Sequence, residues 1–292
     1  MRIPILSRLG FTEYLNVLAV LVTLTIETVI RFFVIFLPNG FFDYLQGIKP
    51  KRYRHDIEYF CEVDYHYTTT KDEYILCVHR LTPSKIVNGE GQRPVILLWH
   101  GAMMNSEVFV CSIEENSLAK YLQSLGYDVW IGNTRGNKYS KKHLRYSTES
   151  EEYWNFSLDE IINYDIPATV DYVLSATGQA KLTYIGFSQG TATMFAALAI
   201  NPTLQSKVDK MIALAAIIKP NKLRETIPAA LIQSSPQMLY LLFGRKSMLS
   251  MAAFWAKTLD PKLYSKILDI SMGILFGWTG DKINNTEKVF SD

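Results

Sequence analysis

Two rhythms of apolar residues alternate along the chain. Glu73 to Arg80 (EYILCVHR) alternates and carries Tyr, Ile and Val, which predicts a strand. Val95 to Trp99 (VILLW) is a short continuous apolar run, as expected of a strand covered on both faces in a parallel sheet. Tyr127 to Gly132 (YDVWIG) and Leu182 to Phe187 (LTYIGF) repeat the type, and Met211 to Ala216 (MIALAA) is a weaker fourth. Between them the period lengthens to that of a helix: Ile113 to Leu125, Leu158 to Ala176, and Thr191 to Ile200. In the second of these Leu158, Ile161, Ile162, Ile166 and Val170 share a face. Strands alternating with helices predict an α/β domain with a mainly parallel sheet. Right-handed crossovers then bring the strand C-termini, and the loops that build a site, to one edge.

Beyond Pro220 the pattern changes. Leu223 to Trp278 is rich in Met, Leu and Phe at helical spacing and has no strand signal. It reads either as the start of a helical cap or as ordinary sheet-covering helices, and pattern alone leaves both open.

At the other end, Phe11 to Leu37 is mostly apolar, but its longest uncharged run, Tyr14 to Ile26, covers 13 residues. A helix crossing a bilayer core needs about 20. Glu27 and Arg31 follow at i,i+4 spacing, with Asn16 and Thr23 near the same face, so one side of the helix is polar. That suits a helix lying in a membrane interface, or a shallow hairpin turning at Pro38-Asn39-Gly40, at least as well as a single pass. Lys49, Lys51, Arg52 and Arg54 form a basic cluster suited to anionic headgroups. A cleaved signal and a buried core helix are the rival readings, and no small-residue cleavage site precedes Glu27. The expected division is an anchor segment and linker at 1–48, an α/β core at 49–220 and a partial cap at 221–292.

Composition narrows the classes. With 292 residues, 48% of them hydrophobic, the chain can bury one sizeable core. A net charge of +2, with basic residues scattered, argues against nucleic acid as a partner. Cys61, Cys77 and Cys111 are odd in number and lack metal-ligand spacing, so they are expected to be free thiols, with no metal site among them. Two glycosylation sequons begin at Asn155 and Asn284 and would matter only in a secretory lumen.

The chemistry sits in two turns. Gly186-Phe187-Ser188-Gln189-Gly190 is a G-x-S-x-G motif between a predicted strand and a predicted helix. A turn that tight needs glycines where side chains would collide, and it forces the serine into a strained conformation that exposes its hydroxyl. The helix that follows points its N-terminus at the site and favours a developing negative charge. His100-Gly101-Ala102-Met103 directly follows the buried strand VILLW, where an acyl-transfer enzyme of this architecture places an oxyanion donor. The backbone N–H groups of Ala102 and Gln189 are the candidate donors, and His100 is expected to shape the loop and not to act as a base.

Those turns stand within four blocks that carry a family resemblance. HGAMMNSEVFV at 100–110, GYDVWIGNTRGNKYSKKH at 126–143, YWNFSLDEIINYDIPATVDYVLSATGQ at 153–179 and YIGFSQGTA at 184–192 resemble the acid lipases, including gastric and lysosomal acid lipase and the membrane-anchored fungal steryl ester hydrolases. Phe187 in the elbow and the hydrophobic N-terminal segment without a cleavage site are closer to the fungal branch. The resemblance spans roughly residues 50–290. It implies an α/β-hydrolase fold with a cap, and hydrolysis of steryl esters or triacylglycerols at a lipid surface with neither metal nor organic cofactor. Ser188 is the implied nucleophile, Ala102 and Gln189 the oxyanion hole, and the block Asn133 to Asn137 a structural loop near the site. A retained anchor at residues 11–37, the basic flank and the free cysteines suit the endoplasmic reticulum membrane or the surface of a lipid droplet.

One departure stands out. The triad of this fold runs serine, acid, histidine, yet all five histidines (His55, His66, His79, His100 and His143) precede Ser188. Asp260, Asp269 and Asp281 fall in the cap-like stretch and match no triad position. The sequence therefore reads as stopping inside the cap, before the last strands. It is either a shortened form of a longer enzyme or an inactive lipid-binding or regulatory paralogue.

Overall fold

The computed structural model describes residues 56–82, 93–111 and 117–217, with isolated helical positions at 18, 21, 22, 25, 29, 266, 267, 269 and 270. The chain divides into two compact units. One holds Met1–Tyr53, Pro220–Gly244 and Ala253–Lys282, and the other Arg54–Lys219, Arg245–Ala252 and Ile283–Asp292. The continuous described stretches all belong to the second. Most of the N-terminal apolar segment, the turn-rich residues 83–92 and nearly all of the cap-like stretch lie outside the described residues. Among the described residues no helix is long and apolar enough to cross a membrane.

Seven strands form one sheet: β1 (Val63–Thr69), β2 (Tyr74–Leu81), β3 (Val95–Trp99), β4 (Asp128–Gly132), β5 (Lys142–His143), β6 (Leu182–Phe187) and β7 (Val208–Leu214). Their order is β1-β2-β4-β3-β6-β7, with β5 paired to β2. β4, β3, β6 and β7 are mutually parallel, and β2 pairs antiparallel with each of its neighbours. All strands but β2 thus run one way, as the mainly parallel expectation required. β3 and β6 have the bounds the pattern predicts, and β7 begins three residues earlier than Met211. β1 and β5 carry no expectation from the sequence. β1 (VDYHYTT) does alternate and is rich in Tyr and Thr, but on an edge strand that alternation marks only partial burial.

Among the continuously described residues the α-helices are α1 (Leu118–Ser124), α2 (Leu158–Glu160), α3 (Ile166–Thr177), α4 (Gln189–Ile200) and α5 (Pro202–Lys207). Between α2 and α3 the backbone widens into a π turn, Ile161–Asp165. Pro167 follows it at the start of α3 and has no N–H to give to that turn. Ser157 and Glu160 form a capping box at the start of α2, and Gly178 closes α3 at φ 66°.

Alternation in β3 explains why the sheet is covered twice. Val95, Leu97 and Trp99 pack with Ile161, Ile166, Val170 and Val173 of the long helix and Met194 of α4 on one face. Ile96 and Leu98 pack with Phe109, Val110, Ala119, Val129 and Ile131 on the other. A strand buried on both sides has no polar face to show. VILLW therefore contains no alternation, and the five residues are all nearly inaccessible.

Candidate active site

β3, β4 and β6 end level with one another: Trp99 pairs with Gly132 on one side and Gly186 on the other. The chain turns sharply after both β3 and β6, and the two turns meet. Ser188 follows β6 at φ 50°, ψ −114°, and α4 begins at the next residue. Non-glycine residues at such angles cost about 1–3 kcal/mol and persist only where neighbours hold them. Here the Ser188 N–H donates to Leu214 O at 2.9 Å, while its carbonyl accepts from the Thr191 N–H at 2.9 Å and the Thr191 hydroxyl at 2.6 Å.

The flanking glycines have steric reasons. A Cβ on Gly186 would lie 2.8 Å from Gly190 O and 3.0 Å from Thr191 N, so the strand can fold back against its own helix only without one. The second turn touches the first. A Cβ on Gly101 would lie 3.2 Å from Ser188 Cβ and 3.3 Å from the Phe187 ring. Gly101 is buried, Ala102 and Met103 are exposed beside the half-buried Ser188, and Met103 sits at φ 57°. Gln189 is the first residue of α4, where backbone N–H groups have no partner within the helix. The two turns thus come together, with Ala102 and Gln189 each next in sequence to one of the touching residues.

His100 is shaped for support. Its Nδ1–H donates to Gly101 O at 2.8 Å, which leaves Nε2 to accept from the Thr134 N–H at 3.2 Å and Asn137 Nδ2 at 3.2 Å. Both ring nitrogens are occupied and burial lowers its pKa to about 4, so the ring is neutral around pH 7 and pins the turn after β3 to the loop after β4. That loop is itself cross-braced. Asn133 Oδ1 accepts from the Ser106 N–H and from Asn137, and Ser140 Oγ donates to Asn133 O. Arg135, with a fully buried side chain, donates to both Asp165 and Asp72 and lies 4.0 Å from the Tyr74 ring. Its charge is held by the two carboxylates against the cost of burial.

The block at 133–137 is accordingly a structural loop. The sequence did not reveal its partner Asp165, although a carboxylate between Ile161, Ile162 and Ile166 on an apolar helix face was the available signal. The Thr191 hydroxyl was also missed, and no sequence signal marks it.

Other titratable groups lie elsewhere. His79 bonds Ser106 Oγ at 2.8 Å, His66 bonds the Tyr172 hydroxyl, and His143 bonds Asp72 O. Among the described residues no imidazole is hydrogen-bonded to the Ser188 hydroxyl. The three cysteines are free, and burial pushes the Cys77 thiol up to about 12 and Cys61 to about 11. A cavity of about 330 Å³ is lined by Asp72, Tyr74, His143 and Arg145 and does not include Ser188.

Residues 94–267 match the family described as alpha/beta hydrolase fold, and residues 55–113 match its partial lipase region. The chain belongs to the α/β-hydrolases. It is 44% identical over 246 residues to a "Probable lipase" of Schizosaccharomyces pombe, covering 81% of this chain and 53% of that protein. It is 37% identical to human "Lipase member K", covering 74% and 55% of the two chains. Against human "Gastric triacylglycerol lipase" the identity is 41%, over 61% and 44%. This α/β-hydrolase spans about half the length of these curated relatives, which are named as lipases or a probable lipase.

Proposed function

We propose that this α/β-hydrolase cleaves neutral lipid esters, triacylglycerols or steryl esters, at a membrane or lipid droplet surface, with Ser188 as nucleophile. The observation that carries the reading is the contact of the two turns: a strained serine at the head of α4 against the glycine that precedes Ala102. In the reaction a general base takes the Ser188 hydroxyl proton as Oγ attacks the ester carbonyl carbon, the carbonyl oxygen takes up negative charge, and the base then gives that proton to the leaving alcohol. The N–H groups of Ala102 and Gln189 receive that charge, aided by the N-terminus of α4. Collapse expels the alcohol and leaves an acyl-serine, which water then hydrolyses. Loss of a single oxyanion donor typically lowers such rates about 10²–10³-fold.

The general base is a separate matter. No histidine follows Ser188 in the sequence, and His100 is committed to its loop. In this reading the base is a group outside the described residues. The absence of an imidazole on Ser188 among the described residues favours one other reading, a lipid-binding or regulatory chain without turnover.

Reaction with a fluorophosphonate probe, followed by hydrolysis of emulsified triolein and cholesteryl oleate, separates the two. Labelling at Ser188 that disappears in Ser188→Ala, together with fatty acid release, is the expected result. A folded chain that neither labels nor releases fatty acid would leave only the binding reading.

A further inference from the structure

We infer that the projection at residues 141–146, with Tyr67 beside it, is a lipid-docking rim that turns the Ser188 edge of the sheet toward a membrane or droplet surface. The inference rests on the lipid-ester reading above and names the part of the fold that meets the lipid.

Register locates the projection. Gly132, at the level from which the Ser188 and His100 turns depart, pairs with Val78. β2 runs against the other strands, so its first residue, Tyr74, lies beyond that level on the site's side. Four residues at ~3.3 Å each place it about 13 Å past the strand ends. β5 pairs there, His143 opposite Tyr74 and Lys142 opposite Ile75. The turn that follows β5 therefore stands out from the same edge as the elbow, and a flat surface meeting one faces the other.

The side chains displayed are those that favour a lipid interface. Leu144 is 61% exposed, Tyr67 49% and Tyr146 41%, where a water-facing turn of this size would carry small polar residues. Lys141, Lys142 and Arg145 are exposed among them. The Lys142 ammonium is 5.8 Å from the Tyr67 ring centre and the Arg145 guanidinium 6.0 Å from that of Tyr146, so cations and rings share the same tips. Leucine and tyrosine can enter the acyl boundary while lysine and arginine extend their stems to the headgroups.

The display is not that of a slack loop. His143 Nδ1 accepts from the N–H groups of both Arg145, at 3.0 Å, and Tyr146, at 3.1 Å, and its Nε2–H donates to Asp72 O at 3.1 Å. The Leu144 N–H donates to Glu73 O at 3.0 Å. Glu73 also pairs with Arg145, and Glu149, Glu151 and Glu152 follow in the next turns. The region is thus not a purely basic patch of the kind nucleic acid favours. The apolar tips between its cations fit a lipid surface.

A Leu144→Cys chain labelled with an environment-sensitive dye tests this against a Lys181→Cys control, since Lys181 is exposed just before β6, on the opposite edge of the sheet. Cys77 and Cys111 are buried, and the unsubstituted chain carried through the same labelling corrects for Cys61. Vesicles of phosphatidylcholine and phosphatidylserine in a three-to-one ratio are the probe. The dye at 144 is expected to shift to the blue and brighten while that at 181 stays unchanged. Lys141→Glu with Lys142→Glu is expected to weaken the response about tenfold or more, since each basic residue near an anionic surface contributes about fivefold.

Vesicle association with a silent dye at 144, an equal response at both positions, or no association at all would each overturn the inference. A response at 144 without serine labelling would instead sink the hydrolase reading and leave the docking rim standing.

Discussion

A methyl group on the α-carbon of Gly190 would stand 2.7 Å from the Trp99 carbonyl oxygen. The same methyl would lie 2.8 Å from His100 O, so the first turn of α4 is pressed against the end of β3 where the oxyanion turn departs. Both obstacles are backbone and neither can rotate away. Gly190→Ala is expected to cost about 1–3 kcal/mol by overpacking. It should also slow fluorophosphonate labelling of Ser188 by more than the loss of folded protein explains, because it pushes Gln189 away from the Ala102 turn. Urea unfolding read beside the labelling rate checks this, and a variant unchanged in both would show that the two turns can separate freely.

What the sequence revealed and what it hid follow from the same physics. The tight turns after β3 and β6 and the central strands were legible because each has a short-range cause: glycines in a tight turn, or an apolar run buried on both faces. β1 was not, because an edge strand exposes half its residues and Val63–Thr69 looks polar. The Arg135 clamp joins residues 72, 135 and 165, and no local pattern encodes a contact across 63 positions of chain. The π turn escaped because a helix keeps its apolar stripe through one widened turn, and only Asp165 facing inward betrays it.

The clamp invites its own test. Arg135 and Asp165 side chains are both fully buried, and their nitrogens and oxygens approach to 2.6 Å, so removing Arg135 strands the Asp165 charge. Arg135→Ala is expected to destabilise by about 3–5 kcal/mol. Asp72 is partly exposed and can turn to water, whereas Asp165 cannot. The double variant Arg135→Met with Asp165→Leu should therefore lose much less than the sum of the single losses. Additive losses in a double-mutant cycle by denaturant unfolding would mean that the pair is not coupled.

Two buried histidines set a direction for stability with pH. Burial lowers His100 from 6.5 to about 4, and burial with the nearby Lys138 lowers His79 to about 3. The unfolded chain takes up protons at these sites near pH 6.5, while the folded chain does not until far lower. Between those values the unfolded state binds more protons, so the stability these groups contribute is full above about pH 6.5. It is lost as pH falls toward 4 and 3. Carboxylic acids in water titrate near pH 4, so a fall in the urea midpoint between about pH 6.5 and 5 reports the histidines. A midpoint that held level or rose across that window would show that the imidazoles protonate without unfolding the loop.

The hydroxyl of Thr191 joins the strained Ser188 to the segment that leaves β7, two residues beyond the strained Ala215. Ser188 at φ 50° and Ala215 at φ 48° are both non-glycine residues in a region that L side chains avoid. Thr191 is wholly buried, and its hydroxyl donates to Ser188 O at 2.6 Å and accepts from the Ile217 N–H at 3.2 Å. One side chain thus ties the elbow to the turn that leaves β7. Thr191→Val keeps the shape, removes both bonds and leaves the Ile217 N–H without its acceptor, at an expected cost of about 1–3 kcal/mol. Thr191→Ser keeps the hydroxyl and removes only a methyl group, at about 1 kcal/mol. If the hydroxyl holds Ser188 in its strained conformation, valine should lower both thermal stability and labelling rate more than serine does. The reverse order would assign the role of Thr191 to the packing of its methyl group, and the strain at Ser188 would then be held by the Leu214 bond and the start of α4 alone.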